Sequence, residues 1–249
     1  MFELLKLRTT PVCVSFLGDA DSVSGKFRVP SKRGLKLTIC QAVSWARFYG
    51  WRVLLTKEDL NCLPAGLAFG LLRSEEFSAE EALSKLMESV GWVRAEVSSN
   101  QRWMVFDGEL GGLLLEPLGK EEGNPHVVLV YCNPAQAARL VQAYSYVKGE
   151  PVVSYLTGRV ACSEYAIRPY RDRRPVVVVP GAGDRIFSGT QDDELVFAFP
   201  YEELSLLKEG LKEAGAAIGT NRYPFPPYML SQVAFPPLYD RLKEELKVR

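Results

Sequence analysis

Short apolar runs alternate with longer amphipathic segments along most of this chain. In the first run, Val12, Val14 and Phe16 recur at every second position, which is the spacing of a β-strand. Residues 126–132 are almost continuously apolar, a pattern that is typical of a strand covered on both faces. By these criteria we predict strands at residues 11–17, 52–56, 102–107, 112–116, 126–132, 151–157, 175–180 and 194–199.

Helix signals separate these strands. Ser78 and Glu81 have the spacing of a capping box, and Asn133 stands directly before a proline, which suits the first turn of a helix. We predict helices at residues 41–49, 78–90, 134–146, 162–167, 201–214 and 236–248, and a further one that begins at Cys62. The alternation of strands with short helices predicts a mixed α/β (α+β) fold with mixed sheets.

Two stretches, one in each half of the chain, share the spacing of several residues. Each has Gln-Ala and then Tyr on a predicted helix, followed by Val and Cys: Gln41-Ala42, Tyr49, Val53 and Cys62 in the first, and Gln136-Ala137, Tyr144, Val153 and Cys162 in the second. Repeated spacing is the sequence signature of repeated structural units. We therefore predict two half-repeats, residues 1–118 and 126–249, in one integrated domain; a coincidental likeness is the alternative.

Composition and charge narrow the class of protein. The 249 residues include 47% hydrophobic residues, and 30 Lys and Arg balance 30 Asp and Glu. This balance argues against a dedicated nucleic-acid-binding protein, and the sequence lacks an apolar run of the roughly 20 residues that span a bilayer. We expect a cytoplasmic protein with neither a nucleic-acid nor a membrane partner. Because His126 is the single histidine, catalysis would depend on other side chains or on a cofactor.

Three of the five cysteines, Cys40, Cys62 and Cys162, each lie beside a predicted helix start. The helix dipole there favours a thiolate and lowers the thiol pKa. If the three converged, they would bind an iron–sulfur cluster with one open iron, or another soft metal such as zinc with one exchangeable position. Two alternatives remain open: small apolar core residues, or a redox-active or nucleophilic thiol.

A segment rich in glycine and polar residues follows the valine-rich strand at residues 175–180. We predict a tight loop at residues 181–185 and expect the segment to bind a small anionic ligand, since ligands of α/β sheets often bind at strand ends. The candidate binding residues are Gly183, Asp184, Arg185, Thr190, Gln191 and Asp192. The carboxylates at 192–194 would also suit a hard cation. The alternative is an elaborate hairpin with capping carboxylates.

Further candidates lie outside this segment. Asn133 and Gln136 occupy the start of a predicted helix, where an anion is favoured, and Arg159 would supply a cation to the same pocket. The simpler interpretations are a helix cap for Asn133 and a turn for Arg159. Residues 221–228 are aromatic and proline-rich, and would form either a strap over the core or a polyproline ligand for a partner.

Several of these blocks occur together, and in the same order, in a known family. The chain resembles the uncharacterised prokaryotic family called domain of unknown function 169, which is common in anaerobic archaea and bacteria. The blocks are Thr10-Pro11-Val12 with Val14, Cys40-Gln41-Ala42-Val43, Leu55-Thr56 with Asn61-Cys62, Asn133-Pro134-Ala135-Gln136-Ala137 with Gln142-Ala143-Tyr144, Gly158-Arg159, Cys162-Ser163-Glu164, Gly183-Asp184-Arg185, Gly189-Thr190-Gln191-Asp192-Asp193-Glu194-Leu195, and Arg222-Tyr223-Pro224 with Pro226-Pro227-Tyr228.

The resemblance implies that Cys40, Cys62 and Cys162 fall in the shared blocks, and it implies no activity. The chain departs from the family at Leu63, where a proline is usual. From the cysteines and the predicted ligand-binding segment we expect one of two functions. The first is a redox-linked or metal-dependent enzyme that acts on a small anionic ligand. The alternative is a non-catalytic module for a small molecule or nucleotide, with the cysteines as core residues.

Overall fold

The computed structural model describes residues 2–224 and 236–247, and gives this part of the chain six strands and ten α-helices. The strands are β1 (Val12–Leu17), β2 (Val53–Leu55), β3 (Gly112–Pro117), β4 (Val127–Cys132), β5 (Val176–Val178) and β6 (Leu195–Pro200). The helices are α1 (Phe2–Leu5), α2 (Ile39–Tyr49), α3 (Leu63–Ala68), α4 (Ala79–Ser89), α5 (Ala95–Ser98), α6 (Pro134–Lys148), α7 (Ala161–Asp172), α8 (Ala182–Ser188), α9 (Leu204–Glu213) and α10 (Pro237–Glu245).

The six strands form one sheet in the order β2-β3-β1-β4-β6-β5, and each pair of neighbours is antiparallel. The predicted mixed α/β class is confirmed, in the form of one antiparallel sheet and not of mixed sheets. Every residue of β4 is buried, as its continuous apolar sequence predicted.

Hydrophobic cores cover both faces of the sheet. Along β4, Val127, Leu129 and Tyr131 belong to one core, whereas the alternating Val128, Val130 and Cys132 belong to the other. Successive side chains of a strand point to opposite faces, so the two cores lie on opposite sides of the sheet. The first core includes apolar residues of α2, α3, α4 and α7, and the second includes those of α6 and α9.

The shared Gln-Ala and Tyr spacing has a local explanation. Gln41 and Gln136 both occupy the third position of their helices, where each closes a capping box with Thr38 or Asn133. The helices themselves, α2 and α6, contribute to different cores and therefore cover opposite faces. The matching Gln positions thus reflect a common way of beginning a helix.

The strand order has a symmetry of its own. From one edge to the centre the order is β2, β3, β1, and from the other edge to the centre it is β5, β6, β4. The first three strands of the chain and the last three therefore take equivalent places in the sheet. In each set a helix stands three residues before the edge strand: α2 before β2, with residues 50–52 between them, and α7 before β5, with residues 173–175 between them. The counterpart of α2 by position is therefore α7. The division into half-repeats stays a prediction.

Three predicted elements differ in the structure. Residues 102–106 are irregular, and Phe106 donates its backbone N–H to Ala68 O at 2.7 Å. Residues 151–157 are also irregular, because the place beside β6 belongs to β5 and the segment meets β5 through the Ser154 hydroxyl, which accepts the Val177 N–H at 2.8 Å. Residues 181–185, predicted as a tight loop, instead begin α8, because the Asp184 carboxylate accepts the Gly181 N–H at 3.1 Å.

The described residues contain no helix that is both long enough and apolar enough to cross a membrane. The predicted C-terminal helix is present as α10. Half of the predicted aromatic strap, residues 225–228, lies outside the described residues.

Candidate functional site

A cavity of about 180 Å³ lies where the N-terminal ends of α2, α3, α7 and α8 meet. Its walls are mainly apolar, and its polar lining includes the thiols of Cys40, Cys62 and Cys162 together with Asp184 and Arg159. Three cysteines that are remote along the chain are therefore neighbours of one cavity.

Local sequence explains why each cysteine lies at a helix start. The Thr38 side chain caps α2 by accepting the Gln41 N–H at 3.0 Å, which places Cys40 at the second helical position. Cys62 is the N-cap residue of α3, and Pro64 lies in the first turn, where its missing N–H has no cost. The unusual Leu63 is thus accommodated without loss of the helix start.

Cys162 occupies the second position of α7. The residue that precedes this helix, Val160, lines the cavity in the left-handed conformation, with φ 48° and ψ 44°. A β-branched residue is strained there, and such strain is concentrated at functional sites.

The thiols are protonated near neutral pH. Burial raises the pKa of Cys40 to about 12 despite a hydrogen-bond contact of 2.9 Å between its Sγ and Thr38 Oγ1. Burial also raises the pKa of Cys62, and raises that of Cys162 well above its usual value, with Cys40 and Cys62 adding to the effect on Cys162. The predicted lowering of these pKa values is therefore wrong, because desolvation of the thiolate outweighs the helix dipole.

Asp184 is a buried carboxyl group at the cavity wall. Its Oδ1 accepts the Tyr165 hydroxyl at 3.1 Å and its Oδ2 accepts the Gly181 N–H. Burial raises its pKa against the opposing effect of these hydrogen bonds. Behind it, Tyr165 and Tyr131 meet edge to face in the core, so Asp184 connects the cavity to a buried aromatic cluster.

Arg159 supplies a positive charge at the cavity. Its guanidinium donates to Gln101 Oε1 at 2.6 Å and lies 5.0 Å from the centre of the Trp103 ring. Both of these partners are neutral. The charge of Arg159 also acts on the carboxyl group of Glu164, whose pKa it helps to lower against the larger effect of burial. Arg159 therefore lies at the cysteine cavity, and not beside Asn133 as the sequence predicted.

Asn133 and Gln136 lie away from this cavity and have structural partners. The Asn133 amide donates to the Tyr223 hydroxyl at 2.8 Å, and its side chain caps α6. The Gln136 amide donates to Leu5 O at 2.8 Å and ties α6 to the end of α1. The simpler interpretation of Asn133, as a helix cap, therefore accounts for its position.

The candidates beyond Gly183 and Asp184 also lie outside the cavity lining. The Thr190 hydroxyl lies 3.1 Å from the Ser188 hydroxyl, the Arg185 guanidinium donates to Gln191 O, and Asp192 lies 3.8 Å from Arg185. Asp193 and Glu194 pair with different arginines, Arg8 and Arg47. The three carboxylates at 192–194 thus have separate cationic partners.

Sequence reasoning did not single out Met87, Trp92 and Phe187, which complete the apolar wall. Trp92 and Phe187 are each 56% exposed, which is unusual for such large apolar side chains. In the sequence, these three residues are distinguished only by being large and apolar and by lying in or just after a predicted or short helix.

Within residues 2–224 and 236–247, no three His, Cys, Asp or Glu side chains are arranged closely enough to hold a metal ion.

Comparisons with known proteins identify a family, and the proteins they find are described as uncharacterised. The model of the family domain of unknown function 169, described as "Uncharacterised ArCR", matches residues 1–210. The chain is also 23% identical to "Uncharacterized protein MJ0308" of Methanocaldococcus jannaschii over 188 residues, which cover 70% of this chain and 75% of that protein. No solved structure matches the chain.

Proposed function

Because the chain belongs to the family domain of unknown function 169, which has no described activity, we propose a function from the cavity itself. We propose that Cys40, Cys62 and Cys162 bind a soft metal ion or an iron–sulfur cluster. The protein would then be a redox-linked or metal-dependent enzyme that acts on a small anionic ligand.

The observation that carries this proposal is the meeting of three thiols at one cavity. Thiolate sulfur is the preferred ligand of soft metals and of iron–sulfur clusters. Raised thiol pKa values are compatible with such a site, because metal binding displaces the protons and releases them to solvent. The three side chains must turn toward a common point as the metal binds.

The size and lining of the cavity support a small ligand. Its volume of about 180 Å³ is below the roughly 300–1,000 Å³ of most drug-sized ligand pockets. This volume favours a small ligand over a nucleotide. Arg159 supplies the cation that an anionic ligand requires, and the apolar wall reduces the screening of that charge by water.

Titration with cobalt(II) under anaerobic conditions tests the proposal. Thiolate-bound cobalt(II) has a charge-transfer band, so we expect one equivalent of cobalt to produce this band together with proton release. The triple variant Cys40→Ala, Cys62→Ala, Cys162→Ala should lose the band, whereas the double variant Cys13→Ala, Cys132→Ala should keep it, since those two cysteines line the other core. A triple variant that still binds cobalt, or a wild-type protein that binds none and reconstitutes no cluster with iron and sulfide, contradicts the proposal.

A second candidate function is a non-catalytic binding pocket. Protonated, buried thiols in an apolar wall favour it, since such cysteines behave as small hydrophobic residues. In that case each Cys→Ala change costs about 1–3 kcal/mol of the free energy of unfolding and leaves ligand binding intact. Retention of small-molecule binding by the metal-free triple variant distinguishes this function from the first.

A further inference from the structure

A second cavity, distinct from the cysteine site, is lined by positive charge. This basic groove has a volume of about 400 Å³. It lies between residues 26–33, residues 50–52 directly after α2, and Lys120 shortly after β3. Its cations are Lys26, Arg28, Arg33, Arg52 and Lys120, and its lining contains no carboxylate. It lies at the C-terminal end of α2, whose N-terminal end is at the cysteine cavity.

Most of this charge is uncompensated. Arg52 pairs with Glu116 at 2.6 Å and with Glu122 at 2.8 Å. The other four cations have no carboxylate oxygen within 4.0 Å among the residues that the structure describes. The segment 24–36, which supplies three of them, contains five Lys and Arg residues and no Asp or Glu. Four positive charges therefore face one groove without an anionic partner.

The groove is held in shape by the backbone and by an aromatic ring. The Arg28 N–H donates to Arg52 O at 2.8 Å, and Arg28 O accepts the Leu54 N–H at 2.9 Å, so residue 28 pairs with the outer edge of β2. The Arg28 guanidinium lies 3.8 Å from the centre of the Trp51 ring, a cation–π contact that fixes its direction.

Lys120, on the opposite wall of the groove, is also held by a backbone contact. Lys120 donates to Gly50 O, at the C-terminal end of α2, at 3.1 Å. Gly25 has a φ of 83°, and a side chain there would collide with Glu122 and Arg52, so glycine permits the close approach of the loop to this ion pair. Arg28 and Lys120 are thus held in place before a ligand arrives, which reduces the entropy that these two side chains lose on binding.

We propose that the basic groove binds a small ligand that carries at least two phosphate groups. A single phosphate monoester carries roughly 1.5 to 2 negative charges near neutral pH, whereas four uncompensated cations match a diphosphate or triphosphate. The planar guanidinium groups of Arg28 and Arg33 suit bidentate phosphate contacts. The groove is small, and the chain as a whole has 30 basic and 30 acidic residues, which favours a small polyanion over a nucleic acid.

Isothermal titration calorimetry of the full-length protein with inorganic tripolyphosphate, pyrophosphate and phosphate tests this inference. We expect affinity to rise in the order phosphate, pyrophosphate, tripolyphosphate, and to fall with added salt. The variant Arg28→Gln, Arg33→Gln should bind tripolyphosphate about tenfold or more weakly. The matched control Lys32→Gln, Lys36→Gln removes the same charge from the same loop outside the groove lining, and should weaken binding by less than about threefold.

Three results would overturn the inference: no heat of binding for tripolyphosphate, an equal loss of affinity in both variants, or binding of single-stranded RNA that tripolyphosphate does not displace.

Circular dichroism and thermal unfolding show whether each variant is folded. If the double variant is not folded, Arg33→Gln alone, at an exposed position, replaces it. Because the cysteine cavity lies at the other end of α2, cobalt binding there should be the same in both variants. Loss of polyphosphate binding and loss of metal binding are therefore separate outcomes.

Discussion

Cys40 and Cys162 occupy the same position, the second, of two helices that each precede an edge strand of the sheet, and both thiols line one cavity. The two residues are far apart in the sequence, and their meeting follows from the order of the strands. Both helices cover the same face of the sheet, and their N-terminal ends line the same cavity.

The first prediction concerns the stability of the protein at alkaline pH. A thiol whose pKa is raised in the folded state contributes stability below its unfolded pKa, and that contribution is lost as the pH rises toward the folded value. Cys40 and Cys162 should therefore each lower the free energy of unfolding by up to about 1.4 kcal/mol per pH unit above pH ~8.5. Urea unfolding at pH 7 to 10 checks this, with Cys40→Ala, Cys162→Ala expected to have the shallower slope. Equal slopes would contradict the raised pKa values.

The second prediction concerns the single histidine. His126 Nδ1 accepts the Phe16 N–H at 3.0 Å, and burial, together with Arg173, lowers its pKa. Its contribution to stability is present above the unfolded pKa near 6.5 and is lost as the pH falls toward the lower folded value. Because the chain has one histidine, the imidazole resonances in an NMR titration can be assigned to His126. We expect the folded midpoint below that measured in urea; a midpoint at or above it would be inconsistent with the structure.

The third prediction concerns the buried ion pair of Arg47 and Glu194, which joins α2 to the start of β6. Arg47 also donates to Thr9 Oγ1 at 3.0 Å and lies 3.7 Å from the centre of the Tyr131 ring. Removal of one partner leaves a buried charge, so Arg47→Met should cost about 3–5 kcal/mol of the free energy of unfolding.

The matched control for this change is Arg8→Met. Arg8 pairs with Asp193, the residue beside Glu194, but both of these side chains are about half exposed. The control should cost less than about 1 kcal/mol. Similar losses in the two variants would show that the Arg47 pair is solvated.

The fourth prediction concerns the contact between α6 and α9. A side chain at Gly210 would collide with the backbone carbonyl of Ala143, so glycine permits these helices to approach closely. We expect Gly210→Ala to cost about 1–3 kcal/mol by overpacking, although alanine is the better helix former. The exposed neighbour Glu209→Ala should be nearly neutral in the same urea-unfolding measurement. A stabilised Gly210→Ala protein would show that the two helices can separate at little cost.

The sequence predicted structure correctly where that structure depends on near neighbours. The capping boxes at Ser78 and Asn133 began helices as predicted, because such caps involve residues three positions apart. It failed for residues 102–107 and 151–157, since an extended segment becomes a strand only where a partner is present. It also missed α8, because glycines at 181 and 183 indicated a turn, whereas the hydrogen bond from the Gly181 N–H to Asp184 begins a helix.

The same division applies to the candidate site. Cys40, Cys62 and Cys162 could be placed at helix starts from the sequence. For Cys40 and Cys62 the signal is local, a capping residue and a proline, whereas α7 begins after Val160 without a side-chain cap. The pKa values of the three thiols could not be predicted from the sequence, because desolvation depends on everything packed around the sulfur. The positions of Trp92, Phe187 and Arg159 at the cavity were likewise invisible, since they arrive there from segments with no shared spacing.

By itself, the sequence of this protein determined which segments are apolar enough to be buried, where most helices begin, and which thiols stand at those beginnings. The tertiary structure alone decided that these beginnings share one cavity, and that four uncompensated cations share another. The physical reason is that burial and helix caps depend on composition and on residues a few positions apart. The approach of distant helix ends depends on strand order, which is set by the pairing of the whole sheet.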